Sequence, residues 1–207
     1  MHNTIITLSR QYGSGGRAIG KQLAENLGIP YYDRELIEMA AKESGYSEEV
    51  LKELDEKPNS LLFALSTGTY PRGTGFDYEA SMPMNDRLFF LQSSIIRRLA
   101  QQGSCVIIGR CADFVLRNNP DAIRVFVQAA LPVRVERAVN VYGLSPERAE
   151  TTVQRIDRQR ASYHNFYADY KWGKMENYNL IVDSGFVGLE NAVSVIEQYV
   201  RFRAERP

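Results

Sequence analysis

Apolar residues along the chain follow two rhythms. Short unbroken runs rich in β-branched residues, NTIITLS (residues 3–9), SCVIIGR (104–110), AIRVFVQA (122–129) and YNLIVDS (178–184), have the pattern of strands buried on both faces of a parallel sheet. A shorter run, IPYYD (29–33), reads as a fifth strand. Between them, apolar residues recur at helical spacing. From Ala18 the set is Ile19, Leu23 and Leu27, ending at Gly28, which can supply a left-handed stop. Leu36, Ile37, Met39 and Ala40 mark a helix over about residues 34–44, and Leu88, Leu91, Ile95 and Leu99 one over 86–102. Leu189, Ala192, Val195, Ile196 and Val200 mark a closing helix over about 188–203. Residues 131–173 are helical in pattern and rich in arginine. This alternation predicts a three-layer α/β/α sandwich on a parallel sheet with right-handed crossovers. Residues 58–85, rich in Gly, Pro, Ser and Thr, break both rhythms and read as a lid, a binding loop or a surface excursion.

Composition narrows the picture only slightly. A chain of 207 residues with 44% hydrophobic and 24% charged residues is sized for one domain with a buried core. Its formal net charge of zero argues against global attraction to nucleic acid or to an anionic membrane, so an anion site has to be built locally. There is no apolar run long enough to span a bilayer and no signal-peptide layout, which makes the cytoplasm the expected location. Cys105 and Cys111 lack metal-ligand spacing and read as buried free thiols.

The chemistry begins at SRQYGSGGRA (residues 9–18), between the first strand and the first helix. Ligands of parallel sheets sit beyond the carboxyl ends of the strands, and amides at a helix start favour phosphate. Gly13, Gly15 and Gly16 let backbone approach an anion closely. Laid on the pattern G-x-x-x-x-G-K-[ST] with Gly15 as the second glycine, the first glycine falls on Arg10, the lysine on Gly16 and the Ser/Thr on Arg17. Lys21 lies a turn too far into the helix to replace the lysine, so Arg10 and Arg17 are the candidate phosphate cations, with Gly13, Ser14, Gly15 and Gly16 as the cradle. The same stretch satisfies the dinucleotide fingerprint G-x-G-x-x-A, with Asp33 ending the next strand at about the expected distance. The three residues between strand and first glycine make that the weaker alternative.

A second constellation is made of arginines. CVIIGR delivers Arg110 to the same sheet edge. Arg134 and Arg137 share one helix face at i and i+3, as do Arg155 and Arg158; Arg160 follows from a neighbouring face, and Asp157 can pair with one of them. Arginines recurring over two helices fit a lid over polyphosphate, since phosphoryl transfer is stabilised mainly by positioned cations.

In SRQYGSGGRAIGKQLAENLG, IPYYDREL, VIIGRCADFVL, PDAIRVFVQAALPVRVERA, RIDRQRASYHNFY and YNLIVDS, the chain resembles the nucleoside-monophosphate kinases and, within them, the cytidylate kinase-like family. The resemblance covers nearly the whole chain apart from about residues 45–90. It implies a P-loop kinase-like fold in one domain, with an acceptor-binding insertion over about 45–90, a lid over about 134–172, and transfer of the γ-phosphoryl group of ATP, with Mg2+, to a nucleoside monophosphate. Carried over, Asp33 orients the acceptor, Arg110 grips its phosphate, and Arg134, Arg155 and Arg158 meet the transferring group; from the loop itself, Arg17 or Arg10 is expected to do the electrostatic work of the lysine in catalysis. No residue is implied as a metal ligand: the hydroxyl that usually meets the metal is missing, as is the lysine that usually meets the phosphates. That loss keeps open a second class of protein, a nucleotide or phosphometabolite sensor on a kinase scaffold. Tyr70, Arg72, Asp77 and Tyr78 are possible acceptor contacts, and Tyr163, His164, Phe166 and Tyr167 are either an adenine platform or packing. No motif specifies an oligomeric state.

Overall fold

A computed structural model describes residues 3–56 and 83–205. In it the five runs form one parallel sheet. Strand β1 (Ile5–Arg10) lies at the centre, between β3 (Cys105–Ile108) and β4 (Ala122–Gln128); β2 (Tyr31–Tyr32) extends the sheet beyond β3, and β5 (Leu180–Asp183) beyond β4. Ile6 pairs with Val106 on one side and Ile123 on the other, and every residue of β1 is buried. This burial on both faces explains its unbroken apolar run.

The period of two along the strands decides which layer each side chain meets. Ile6, Leu8, Val106 and Ile108 pack on α1 (Gly16–Leu27) and on a closing helix over Leu189–Ala204. Ile5, Cys105 and Ile107 face the opposite layer, where α2 (Glu35–Ser44), α3 (Glu48–Leu54) and α4 (Met84–Gln102) bring Leu36, Leu51 and Ile95. Each such fully buried aliphatic side chain contributes about 1.5–3 kcal/mol relative to exposure. Gly20 is where α1 comes nearest the sheet: a Cβ there would lie 2.6 Å from Ile108 Cδ1. The remaining α-helices among the described residues are α5 (Ala112–Val115), α6 (Leu131–Asn140), α7 (Pro146–Tyr167), α8 (Ser184–Val187) and the closing α9 (Leu189–Ala204).

Some expectations are corrected in detail. The first helix starts at Gly16 rather than Ala18, and Val193, not Val195, joins the core face of α9. Helix α3 lies in a stretch where the apolar pattern predicts no element. Helix α4 begins at Met84, so the last residues of the irregular stretch are helical, while Tyr70, Arg72, Asp77 and Tyr78 lie outside the described residues. The dinucleotide alternative also fails: β1 is flanked by β3 and β4, whereas the dinucleotide-binding order places β2 beside β1. Among the described residues no helix is long and apolar enough to cross a membrane, and both cysteines are buried and free.

Candidate active site

The glycine loop joins the centre of the sheet to the start of α1. Gly13 and Gly15 adopt φ of 81° and 79°, in the left-handed region that glycine tolerates. Ser14 is fully buried, and its Oγ–H donates to the Gln11 carbonyl at 2.8 Å. Its own carbonyl accepts from Ser184 Oγ at 2.5 Å. The Ser14 hydroxyl therefore closes the turn and is not offered to a ligand.

Gly16 accounts for the missing lysine. A Cβ there would lie 2.6 Å from Arg10 Cβ and 3.0 Å from Arg10 Cγ. Arg10 stands where a Walker loop has its first glycine, a residue with no side chain to obstruct a lysine. Here the cation and the glycine have exchanged places, and the Arg10 stem fills the space that a residue-16 side chain would need. Either residue alone breaks the familiar pattern; together they keep one cation beside the loop.

Helices α6 and α7 brace the loop from outside. Arg134 is buried and donates to the carbonyls of Ala129 (2.8 Å) and Tyr12 (3.1 Å) and to Asp157 Oδ2. The other oxygen of Asp157 accepts from the Tyr12 amide at 2.6 Å. Arg137 donates to the Gly13 carbonyl at 3.1 Å. A Cβ on Gly13 would come within 2.5 Å of the Arg134 carbonyl oxygen, and one on Gly15 within 2.7 Å of Arg137 Nη1. Asp157 thus holds an arginine as the sequence anticipates, but Arg134 is committed to loop backbone rather than presented as a lid cation.

On the other side, Gly109, Arg110 and Cys111 all have positive φ (69°, 51° and 55°) and turn β3 into α5. For the last two, this conformation costs about 1–2 kcal/mol each and is tolerated where surroundings enforce it. Arg110 supplies that enforcement. Its Nη1–H donates to Asp33 Oδ1 at 2.6 Å, and its Nε and Nη2 grip both oxygens of Asp55 at 3.2 and 2.6 Å. Asp33 also meets Arg17 Nε at 2.6 Å. Burial pushes the Asp33 carboxyl up, but Arg110, Arg10 and Arg17 outweigh it and hold it below the usual range.

Beside this pair lies a cluster that sequence reasoning missed. Glu56 Oε1 accepts from Arg10 Nη1 at 2.9 Å, and its Oε2 lies 3.4 Å from Arg160 Nε. Arg160 also donates to the Arg10 carbonyl at 3.1 Å. Burial, then the neighbouring Arg10, pulls Arg160 down to about 10. His164 Nε2 lies 2.8 Å from Asp113 Oδ2, which also accepts from Tyr170 Oη–H at 3.1 Å. No local pattern links these partners, which are separated by 46 positions for Arg10 and Glu56 and 51 for Asp113 and His164. Arg160 was legible as a member of the arginine helix, though not as its most buried one.

The other candidates divide. Arg17 is about half exposed at the start of α1, and Arg155 is exposed. Burial raises the Tyr12 phenol, while Arg160, Arg17 and Arg155 oppose that rise, so all three are within electrostatic reach of the loop. Arg158 is exposed on α7, without an ion pair or hydrogen bond among the described residues. The aromatics are packing: Tyr167 stacks on Phe89 at 3.9 Å, with Tyr163 edge-on to Tyr167 at 4.9 Å.

A sequence model of the cytidylate kinase-like family matches residues 5–185. The chain belongs to the cytidylate kinase-like family. A cytidylate kinase from Pyrococcus horikoshii is 25% identical over 198 residues, covering 93% of this chain and 86% of that protein. Among solved structures, an uncharacterized protein from Eubacterium ventriosum superposes with a TM-score of 0.70 at 26% identity, covering 96% and 98% of the two chains. A shikimate kinase from Bacteroides thetaiotaomicron, with a TM-score of 0.57 at 14% identity and the same coverage, shares the fold. Family and fold together support kinase activity of the nucleotide and small-molecule class.

Proposed function

We propose that this family member transfers the γ-phosphoryl group of ATP to a nucleoside monophosphate of the CMP type, with Arg10 serving in place of the loop lysine. The observation that carries this reading is the exchange between positions 10 and 16: the space closed to a lysine stem is filled by the stem of another cation. Amides at the start of the 12-residue α1 offer N–H donors and the positive end of the helix dipole to the donor's phosphates. Arg10 and Arg160 stand beside that loop, where positive charge stabilises the spreading charge of a transferred phosphoryl group. Arg17 and Arg155, both more exposed, approach from the solvent side. Asp33 orients the acceptor and is itself fixed by Arg110, whose donors are occupied by Asp33 and Asp55.

Magnesium fits less well. The Ser14 hydroxyl is turned inward, and Asp33 and Asp55 are paired with Arg110. Among the described residues no group of three or more His, Cys, Asp or Glu is arranged to hold a metal. Magnesium therefore enters only as the counter-ion of ATP, and the guanidinium groups supply the protein's share of charge stabilisation.

A nucleotide sensor without turnover is the second reading, favoured by the carboxylates that already neutralise part of the arginine cluster. Initial rates of transfer from ATP, at saturating magnesium, to CMP and a panel of other monophosphates separate the two. Transfer to at least one acceptor is expected, reduced about 10²–10³-fold in Arg10→Ala, as for loss of one preorganised donor. No transfer to any acceptor contradicts the kinase reading, and thermal stabilisation by nucleotide without turnover favours the sensor.

A further inference from the structure

Asp113 is a buried carboxylate that the proposed reaction does not touch. It is 1% exposed, on the short helix α5 that follows the Gly109–Arg110–Cys111 turn. Unlike Asp33, Asp55 and Glu56, it has no arginine or lysine partner among the described residues. Its oxygens collect contacts from β1, from α7 and from the stretch that leads from α7 to β5. Oδ1 accepts from Ser9 Oγ–H at 3.5 Å, while Oδ2 lies 2.8 Å from His164 Nε2 and accepts from Tyr170 Oη–H at 3.1 Å. Tyr178, just before β5, is hydrogen-bonded to both Ser9 and Asp113. Burial, then the neighbouring Asp113, pushes the Tyr170 and Tyr178 phenols up, so both keep their protons at neutral pH. A buried carboxylate is tolerated without a guanidinium partner when polar hydrogens of this kind surround it.

What matters is where these contacts come from. Ser9 immediately precedes Arg10, and His164 lies one turn after Arg160 on the same face of α7, at i and i+4. Arg160 in turn donates to the Arg10 carbonyl at 3.1 Å and stands 3.4 Å from Glu56 Oε2. One carboxylate therefore ties together the two chain segments that carry Arg10 and Arg160. His164 Nδ1 is buried with no hydrogen-bond partner among the described residues, so the imidazole is held through Nε2.

We propose that Asp113 and His164 are positioning residues: their contact sets where α7 presents Arg160, and the bond from Ser9 to Asp113 fixes the end of β1 that carries Arg10. A cation that stabilises a transferred group acts only when held close to its productive position, so loosening its carrier lowers the rate without removing the cation. The effect on rate rests on the kinase reading; the effect on the position of Arg160 does not.

The test compares two variants. His164→Gln offers an amide N–H near the position of Nε2, whereas His164→Phe keeps a planar ring and loses the polar contact. In His164→Phe, kcat for transfer from ATP is expected to fall at least about tenfold while the KM for ATP changes less than about threefold, and His164→Gln is expected to recover most of the rate. Equal losses in the two variants, or rates that merely follow their melting temperatures, overturn the proposal. Should His164→Phe fail to fold, Ser9→Ala removes the contact at the other oxygen; a fall in kcat of about threefold supports the proposal and an unchanged kcat overturns it. Crystal structures of the His164 variants need no turnover. Arg160 is expected beyond hydrogen-bond distance of the Arg10 carbonyl in His164→Phe and in place in His164→Gln, and Arg160 unmoved in His164→Phe overturns the proposal. Arg160 displaced as described, in a protein that transfers to no monophosphate, sinks the kinase reading alone.

Discussion

Arginines gather at both edges of the sheet, and they do different things there. At the carboxyl edge, Arg10 and Arg110 are buried and Arg160 nearly so; all three face carboxylates across the chain, and Arg10 stands against glycines whose Cβ positions are already filled. At the amino edge, Arg117, Arg124 and Arg203 line an open cavity of about 380 Å³ with Tyr199 and Phe202 and, among the described residues, no carboxylate in its lining. These arginines serve local backbone and side chains. Arg117 lies 4.0 Å over the Phe114 ring, Arg124 Nε donates to Asn179 Oδ1 at 3.3 Å, and Arg203 caps the carbonyls of Pro120 and Asp121. Arginine count alone therefore does not mark a phosphate site. What sets one edge apart is burial, carboxylates paired with its arginines, and glycine backbone beside a helix start.

The contrast breaks most visibly at Arg110. Arg110→Ala strips Asp33 and Asp55 of their buried partner and should cost about 3–5 kcal/mol in urea denaturation. A loss under about 1 kcal/mol would mean the carboxyl-edge cluster is no more coupled than the amino edge. Next in size is Arg160→Ala, expected to lower turnover about a hundredfold. An unchanged rate would move Arg160 from the reaction to the scaffold. Acid sharpens the comparison further. Asp33 and Glu56 are held below the usual carboxylate range, so their contribution to stability is fully present above the unfolded pKa of about 4 and is lost as pH falls through their lower folded values. Denaturant midpoints measured from pH 6 to pH 3 should fall less steeply in Glu56→Gln. The smallest effect belongs to the amino edge: exposed Arg117→Ala is expected to stay within about 0.5 kcal/mol and to leave transfer rates unchanged.

The sheet and its helices were legible because strands buried on both faces write themselves as unbroken apolar runs, and α1, α2, α4 and α9 as stripes at helical spacing. The loop was legible as a loop, and Arg10 and Arg17 as its candidate cations. That the Arg10 stem fills the space beside Gly16 was not readable, because it depends on a contact made only when β1 and α1 close on each other. Asp55 and Glu56 carry no pattern at all: they follow a short helix and acquire meaning by meeting Arg110 and Arg10 some fifty residues away. Arg134 and Arg158 show the limit of reading a helix face. Similar spacing in sequence leaves one buried against the loop and the other in solvent.

The claim that a cation and a glycine have changed places is tested most directly by changing them back. Transfer rates from ATP would be compared for Gly16→Lys alone and for Gly16→Lys combined with Arg10→Gly. Lysine added beside the Arg10 stem should leave little activity, and removing that stem should restore at least about a tenth of the unaltered rate, a gain of coupled neighbouring sites. A double variant no more active than Gly16→Lys alone would contradict the exchange.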